Sequence, residues 1–421
     1  MTRKSRPTHW RQRLKNLGSS FSWWQLPEHP EVPGLSNRWW SDFFALVEHP
    51  SQENVFRPSE LIGPLGRIPR LPRAGRALVT ASRFAISRGL FSLGGTMRLV
   101  GRDILLECLA NGRLEPGSAL YAATMAGLVE VGRWDEFIAA MMPLPTNPGQ
   151  DRRAMGTLLA TIAPVALLQA RPQLADSLPR DAAFVECVAG KRVAVVGPAS
   201  STAREGPLID SYDLVARFNY KEDGIGLDPL HKGERCDLVY FNRAQTEYLV
   251  TDGDLTRFPR TPRWVITRRQ KHADSLSRAL HAEAVRSNAV PWSHRYRFTP
   301  VYDAPLFCGL FTAAPNATLD LLHCGAASVD VFHADFMLSS ERTRKYNPFM
   351  KDLAETTRIT VRSFAGAHDP ITQVAMMKTA YRSGRIHGDE PFRAALQLGE
   401  QEYMDALQRL YGNPILRLRA A

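Results

Sequence analysis

Residues 193–201 read VAVVGPASS: an apolar run stops at Gly197, and Pro198, Ala199 and the hydroxyls of Ser200 and Ser201 follow. A strand that ends in glycine lets the main chain approach a phosphate, and serine hydroxyls can donate to one. The spacing fits neither common nucleotide cradle. GxGxxG needs a second glycine in register after Gly197, and GxxxxGK[ST] is also missing. By this grammar alone, a plain strand-to-loop connection reads as well as a ligand site. Asp252-Gly253-Asp254 is a second candidate, because two carboxylates at this spacing can hold a divalent ion on a suitable loop. With Thr251 ahead of them, these residues also spell an ordinary turn. His368 offers an imidazole, whose pKa of about 6.5 suits proton transfer at neutral pH, although a lone histidine is more often structural.

The elements that must position these residues follow from the pattern. From about residue 190, RVAVVG, CDLVYFN, RWVIT and SVDVFHADF read as buried strands rich in Val, Ile and Phe. Helical candidates, 271–287 and 312–325, lie between them. The alternation predicts an α/β domain over 185–421 with a mainly parallel, Rossmann-like or GT-A-like sheet flanked by helices. Its tail from about 370 reads as helix. Residues 76–180 read as a helical domain, in which 120–144 form a helix–turn–helix unit with a break near Gly132. No second copy at a fixed period supports a repeat array. Residues 1–75 read as a basic arm rich in Trp and Pro, with doublets Trp23-Trp24 and Trp39-Trp40. Either its aromatics pack on the body as an irregular arm, or they rest with its arginines on an anionic membrane face.

The bulk numbers limit the partners. The chain has 421 residues and a formal charge of +11, with 44% hydrophobic and 23% charged residues, which suits a globular protein with an anionic partner. Nothing resembles a recognition helix, zinc finger or RNA-binding motif, so nucleic acid is not expected. The basic start MTRKSRPTHWRQRLKNL has no apolar segment behind it, and no run is long enough to span a bilayer. The sequence therefore predicts a cytoplasmic chain, peripheral to the inner membrane face in the second reading of the arm. Five cysteines without CxxC spacing predict free thiols, not a disulfide framework or a zinc site.

IDSYDLVARFN (209–219) sharpens the functional reading. Gly197, Ile209, Asp210, Ser211, Asp213, Val215, Arg217 and Asn219 match, in order, the large motif of family 29 glycosyltransferases, which this segment resembles. PLFCGLFTAAPNATLDLLHCGAASVDVFHADF (305–336) is similar to that family's small motif through Pro305, Gly309 and Val329-Asp330-Val331. HDPITQ (368–373) is similar to the very small motif, a His followed five residues later by Glu, with Gln373 in the acid's place. Pro198 stands where the family has a phosphate-holding Asn, and Val193 where it has a paired cysteine, with Cys324 two residues from the partner position. Lys345-Tyr346-Asn347 at most echoes the family's third short motif, His-Tyr followed by an aromatic and an acid. The pattern is that of a divergent, bacterial-type sialyltransferase-like member, and the resemblance does not reach the first 180 residues.

The resemblance implies an inverting transferase that moves a 2-keto acid sugar, sialic acid or Kdo, from a CMP-sugar donor to a hydroxyl of a glycan or glycolipid acceptor. His368 would be the general base, and Tyr346 would donate to the departing phosphate. Gly197, Ser200, Ser201, Asn219 and Gly309 would bind the donor nucleotide. Protein donors would meet the phosphate charge, so no metal or other cofactor is expected. Arg217 and Asp213 read better as an internal pair or cap that fixes the loop. Two other functions stay open: a metal-dependent diphosphate-sugar transferase using Asp252 and Asp254, and a degenerate fold that binds a glycan or protein partner.

Overall fold

The computed structural model describes residues 34–48, 58–116, 118–141, 181–199, 202–218, 228–241, 263–268, 292–296, 311–338 and 368–412. Seven strands form one sheet: β1 (Arg192–Val196), β2 (Leu214–Phe218), β3 (Leu238–Phe241), β4 (Trp264–Arg268), β5 (Trp292–Tyr296), β6 (Ser328–Phe332) and β7 (Ile386–Gly388). Their order is β5-β4-β3-β2-β1-β6-β7, and every neighbouring pair is parallel. The protein is thus α/β, with helices flanking the sheet and a helical region ahead of it. The chain walks outward from β1 to β5 and then returns to place β6 on the other side of β1. The strand order reverses there, which in open parallel sheets is where a crevice forms at the carboxyl ends of the strands.

The continuous apolar reading of β1 has a direct cause. Val193 and Val195 join the large core on one face, while Ala194 and Val196 join a smaller core with Ile209, Tyr212, Val215 and Phe332 on the other. A strand covered on both faces has no polar side to show, so alternation disappears from its sequence.

The helices are α1 (Asn37–Glu48), α2 (Pro72–Ser87), α3 (Phe91–Ala110), α4 (Ala119–Glu130), α5 (Trp134–Met141), α6 (Ala313–His323), α7 (Pro370–Arg382), α8 (Glu390–Gln397) and α9 (Glu400–Tyr411), with shorter turns between. Ser118 caps α4 by accepting from the Tyr121 N–H at 3.1 Å, and Gly132 at φ 77° turns the chain into α5. The expected helix–turn–helix is therefore present as far as residue 141, where the described residues end, and is broken where the glycine stands. The helical region shares one core with the sheet domain, from Leu35 to Tyr411. No described helix is long and apolar enough to cross a membrane.

Three readings change. Trp39 and Trp40 lie on α1, not on an irregular arm, and both are buried; the Trp39 indole donates to the Leu61 carbonyl at 2.9 Å. This doublet is therefore not available to a membrane face, because its rings already fill the core beside Phe43 and Phe44. SVDVFHADF is a strand only to Phe332; His333, Phe336 and Met337 adopt positive φ of 54°, 50° and 70°, which ends the extended run. The tail is not all helix: β7 interrupts it, three residues that follow a turn at Gly384. The helical candidate 271–287 and Trp23-Trp24 lie outside the described residues.

Candidate functional site

In a parallel sheet, a helix that precedes a strand runs against it, so its first turn lies over the carboxyl ends of the strands. That places the starts of α6 and α7, which precede β6 and β7, on the same edge as Gly197 at the end of β1 and His333 at the end of β6. Asp389 follows β7 and caps α8 from that edge too. The three segments matched by motif thus contribute to one edge of the molecule, two of them on adjacent strands paired from Arg192–Ser328 to Val196–Phe332.

The turn after β1 is tightly committed to its neighbour. The Gly197 N–H donates to the Phe332 carbonyl at 2.7 Å and the Ala199 N–H to the His333 carbonyl at 2.9 Å, while Pro198 between them has no N–H to give. A Cβ on Gly197 would stand 2.3 Å from the His333 carbonyl oxygen. The glycine is required here by the main chain of His333. The amides of 197 and 199 are already spent, so neither is free to meet a ligand at this turn.

The described residues of IDSYDLVARF fix the loops around that edge. Both oxygens of Asp210 accept from the main-chain N–H of Glu234, and Oδ1 also accepts from that of Arg235. Asp213 accepts from the Arg192 N–H at 2.8 Å and ties β2 to β1. Arg217 donates to the carbonyls of Arg235 at 2.6 Å and Lys232 at 2.7 Å. Arg217 and Asp213 each fix main chain, as expected of a loop-holding role, though through backbone partners. The Tyr212 ring packs edge-on against Phe332 of β6, with centroids 5.8 Å apart, and burial pushes the pKa values of Tyr212 and Asp330 up. The large and small motif segments therefore touch by side chain as well as by strand pairing.

Gln373 joins the other two matched segments. It is fully buried, and its carbonyl accepts from the Thr312 N–H at 3.1 Å and hydroxyl at 3.0 Å, capping α6 from outside. An amide meets this demand without charge. The helix that holds Gln373 begins at Asp369, whose carboxylate accepts from the Thr372 N–H at 3.0 Å, with Pro370 in the first turn where no donor is missed. His368 immediately precedes this cap and is buried. Asp369 also accepts from Arg98 of α3 at 3.1 Å, and Arg98 bonds Glu130 of α4 at 2.8 Å. Burial works against both charges, but the pair outweighs it: Asp369 is held below its ordinary pKa and Arg98 above.

Several groups at this edge escape sequence reading. His333 is fully buried; Glu205 stands beside it after β1, and Asp389 after β7. Burial lowers the His333 pKa to about 4, helped by the nearby positive charges of Lys232 and Arg217. Burial raises the Glu205 and Asp389 carboxyls above their usual range. Lys232 is buried and is lowered to about 8, first by burial and then by Arg217. Glu205, His333 and Asp389 are far apart in sequence, so no spacing rule links them. The one local signal is a histidine in the polar turn just after an apolar strand.

Of the residues predicted for the site, the structure places Gly197 and His368 on this edge. Ser200, Ser201, Asn219, Gly309, Tyr346, Asp252 and Asp254 lie outside the described residues. Against models of protein families, curated proteins and solved structures, the chain has no match.

Proposed function

We propose that the protein is an inverting glycosyltransferase that moves a 2-keto acid sugar from a CMP-sugar to a glycan hydroxyl, with His368 as general base. One observation carries the reading. The three segments matched by motif meet at one sheet edge, with β1 beside β6 at the reversal of strand order and Gln373 bonded to Thr312. His368 takes the proton from the acceptor hydroxyl as that oxygen bonds to the anomeric carbon. The bond from that carbon to the phosphate oxygen breaks, and CMP leaves with its electron pair. Lys232 and Arg217 place positive charge near this edge, which suits an anionic donor; burial first, and Arg217 next, lower the Lys232 pKa to about 8.

The test is CMP release from CMP-sialic acid and CMP-Kdo by the purified chain. A His368→Ala variant that folds and retains full turnover removes His368 from the role; release from neither donor removes the reading.

A further inference from the structure

The orientation of His333 is fixed by its own hydrogen bonds. Nε2 lies 3.0 Å from the His231 carbonyl, which can only accept, so Nε2 carries the proton and Nδ1 the lone pair. Nδ1 is buried and has no hydrogen-bond partner among the described residues, and neither does the buried Glu205 Oε2. Asp389 Oδ2 stands 3.7 Å from Nδ1, and Glu205 Oε2 stands 3.8 Å from Nε2. Asp389 is held in place from behind: Oδ1 accepts from the Phe392 N–H at 3.0 Å and Oδ2 from the His333 N–H at 2.6 Å. The Glu205 contact is thus on the side of the protonated nitrogen, while one candidate ligand atom from each of the three side chains still lies close to the others, and no donor among the described residues reaches Nδ1 or Glu205 Oε2. Buried acceptors left without a donor, this close together, call for a positive partner.

We propose that Glu205, His333 and Asp389 bind one divalent transition-metal ion of the Zn²⁺ or Mn²⁺ class. One atom from each residue lies within 4.8 Å of the others. Ligands of a tetrahedral ion bound at about 2.0–2.1 Å stand roughly 3.3 Å apart, so the site closes by a small inward movement. Glu205 supplies it, being the least buried of the three with 23% of its side chain exposed, and its side is also the path of entry. The arrangement has the supporting contacts of a metal site: the imidazole's second nitrogen donates to a carbonyl, and a ligating carboxylate is hydrogen-bonded by main-chain amides. An imidazole beside two carboxylates favours Zn²⁺ or Mn²⁺ over Mg²⁺ and Ca²⁺, which take oxygen ligands alone. Bound there, the ion joins the loop after β1 to the turn after β6 and to the start of α8, clamping the point where the strand order reverses. It is separate from Asp252-Gly253-Asp254 and is not assigned to the donor phosphate.

Metal binding to the full chain, stripped with a chelator and dialysed, tests this without any sugar donor, so its outcome is independent of the transferase reading. Calorimetric titration is expected to give one Zn²⁺ or Mn²⁺ per chain and a rise in Tm. Loading with Co²⁺ is expected to give the visible absorption of a nitrogen–oxygen site. Glu205→Gln and Asp389→Asn should each weaken binding by at least about 10-fold, as loss of even an outer partner can do, while the metal-free Glu205→Gln protein keeps its Tm. Absence of saturable Zn²⁺ and Mn²⁺ binding overturns the proposal. So does unchanged affinity in both variants, or Mg²⁺ and Ca²⁺ binding as tightly.

Discussion

Gln373 and Lys232 show how single side chains set this edge. Gln373 stands where the resemblance has an acid, and its carbonyl holds the first turn of α6 through Thr312. Gln373→Leu keeps the volume but orphans the Thr312 N–H, and should cost about 1–3 kcal/mol in urea unfolding with an unchanged m value. Lys232 gives a pH prediction. Its folded pKa, about 8, lies below the ordinary 10.5, so between these values the unfolded chain binds the proton more tightly. Stability from this group therefore rises with pH through that window and is lost as pH falls through about 8. Lys232→Met should be more stable than wild type at pH 7 by about 3 kcal/mol, and the gap should narrow steadily towards pH 9.5. A gap that does not change with pH would place the Lys232 charge in ordinary solvent.

At the scale of elements, the adjacency of β1 and β6 is the feature on which the site depends, and Gly197 allows it. Gly197→Ala pushes a methyl into the His333 carbonyl and should cost about 1–3 kcal/mol, read as a lower Tm. An unchanged Tm would mean the two turns are not held together as described. The elements show what sequence can and cannot tell. RVAVVG and CDLVYFN are legible because strands buried on both faces read as unbroken apolar runs, and RWVIT and SVDVF because they are short runs rich in Val, Ile and Phe. β7 is not, because three residues ending in glycine carry no period. The turn at His333 also hides inside an apolar reading, since its positive φ is imposed by packing and not by a turn residue. For the candidate site, His368 was legible through its local motif. Glu205 and Asp389 were not, because only the closing of the sheet edge brings them to His333.

At the scale of the whole molecule, the helical region and the sheet domain are joined by buried charge. Arg98 of α3 bonds Glu130 of α4, with Asp369 and Thr372 at the start of α7, and Arg102 bonds Glu130 and Glu400 of α9. Removing one member leaves the others uncompensated in the interior. Arg98→Met should therefore cost about 3–5 kcal/mol, seen as a large fall in the urea midpoint. A loss under about 1 kcal/mol would mean that the network is solvated and carries little. The same contacts fix the helix start beside His368, so the amino-terminal helices help set the position of the proposed base. The most direct test of the account is CMP release from CMP-sialic acid or CMP-Kdo, measured for wild type and His368→Ala side by side. The account predicts release from at least one donor, falling by about 10²–10⁴ in the variant. No release from either donor, or an equal rate in the variant, would contradict it.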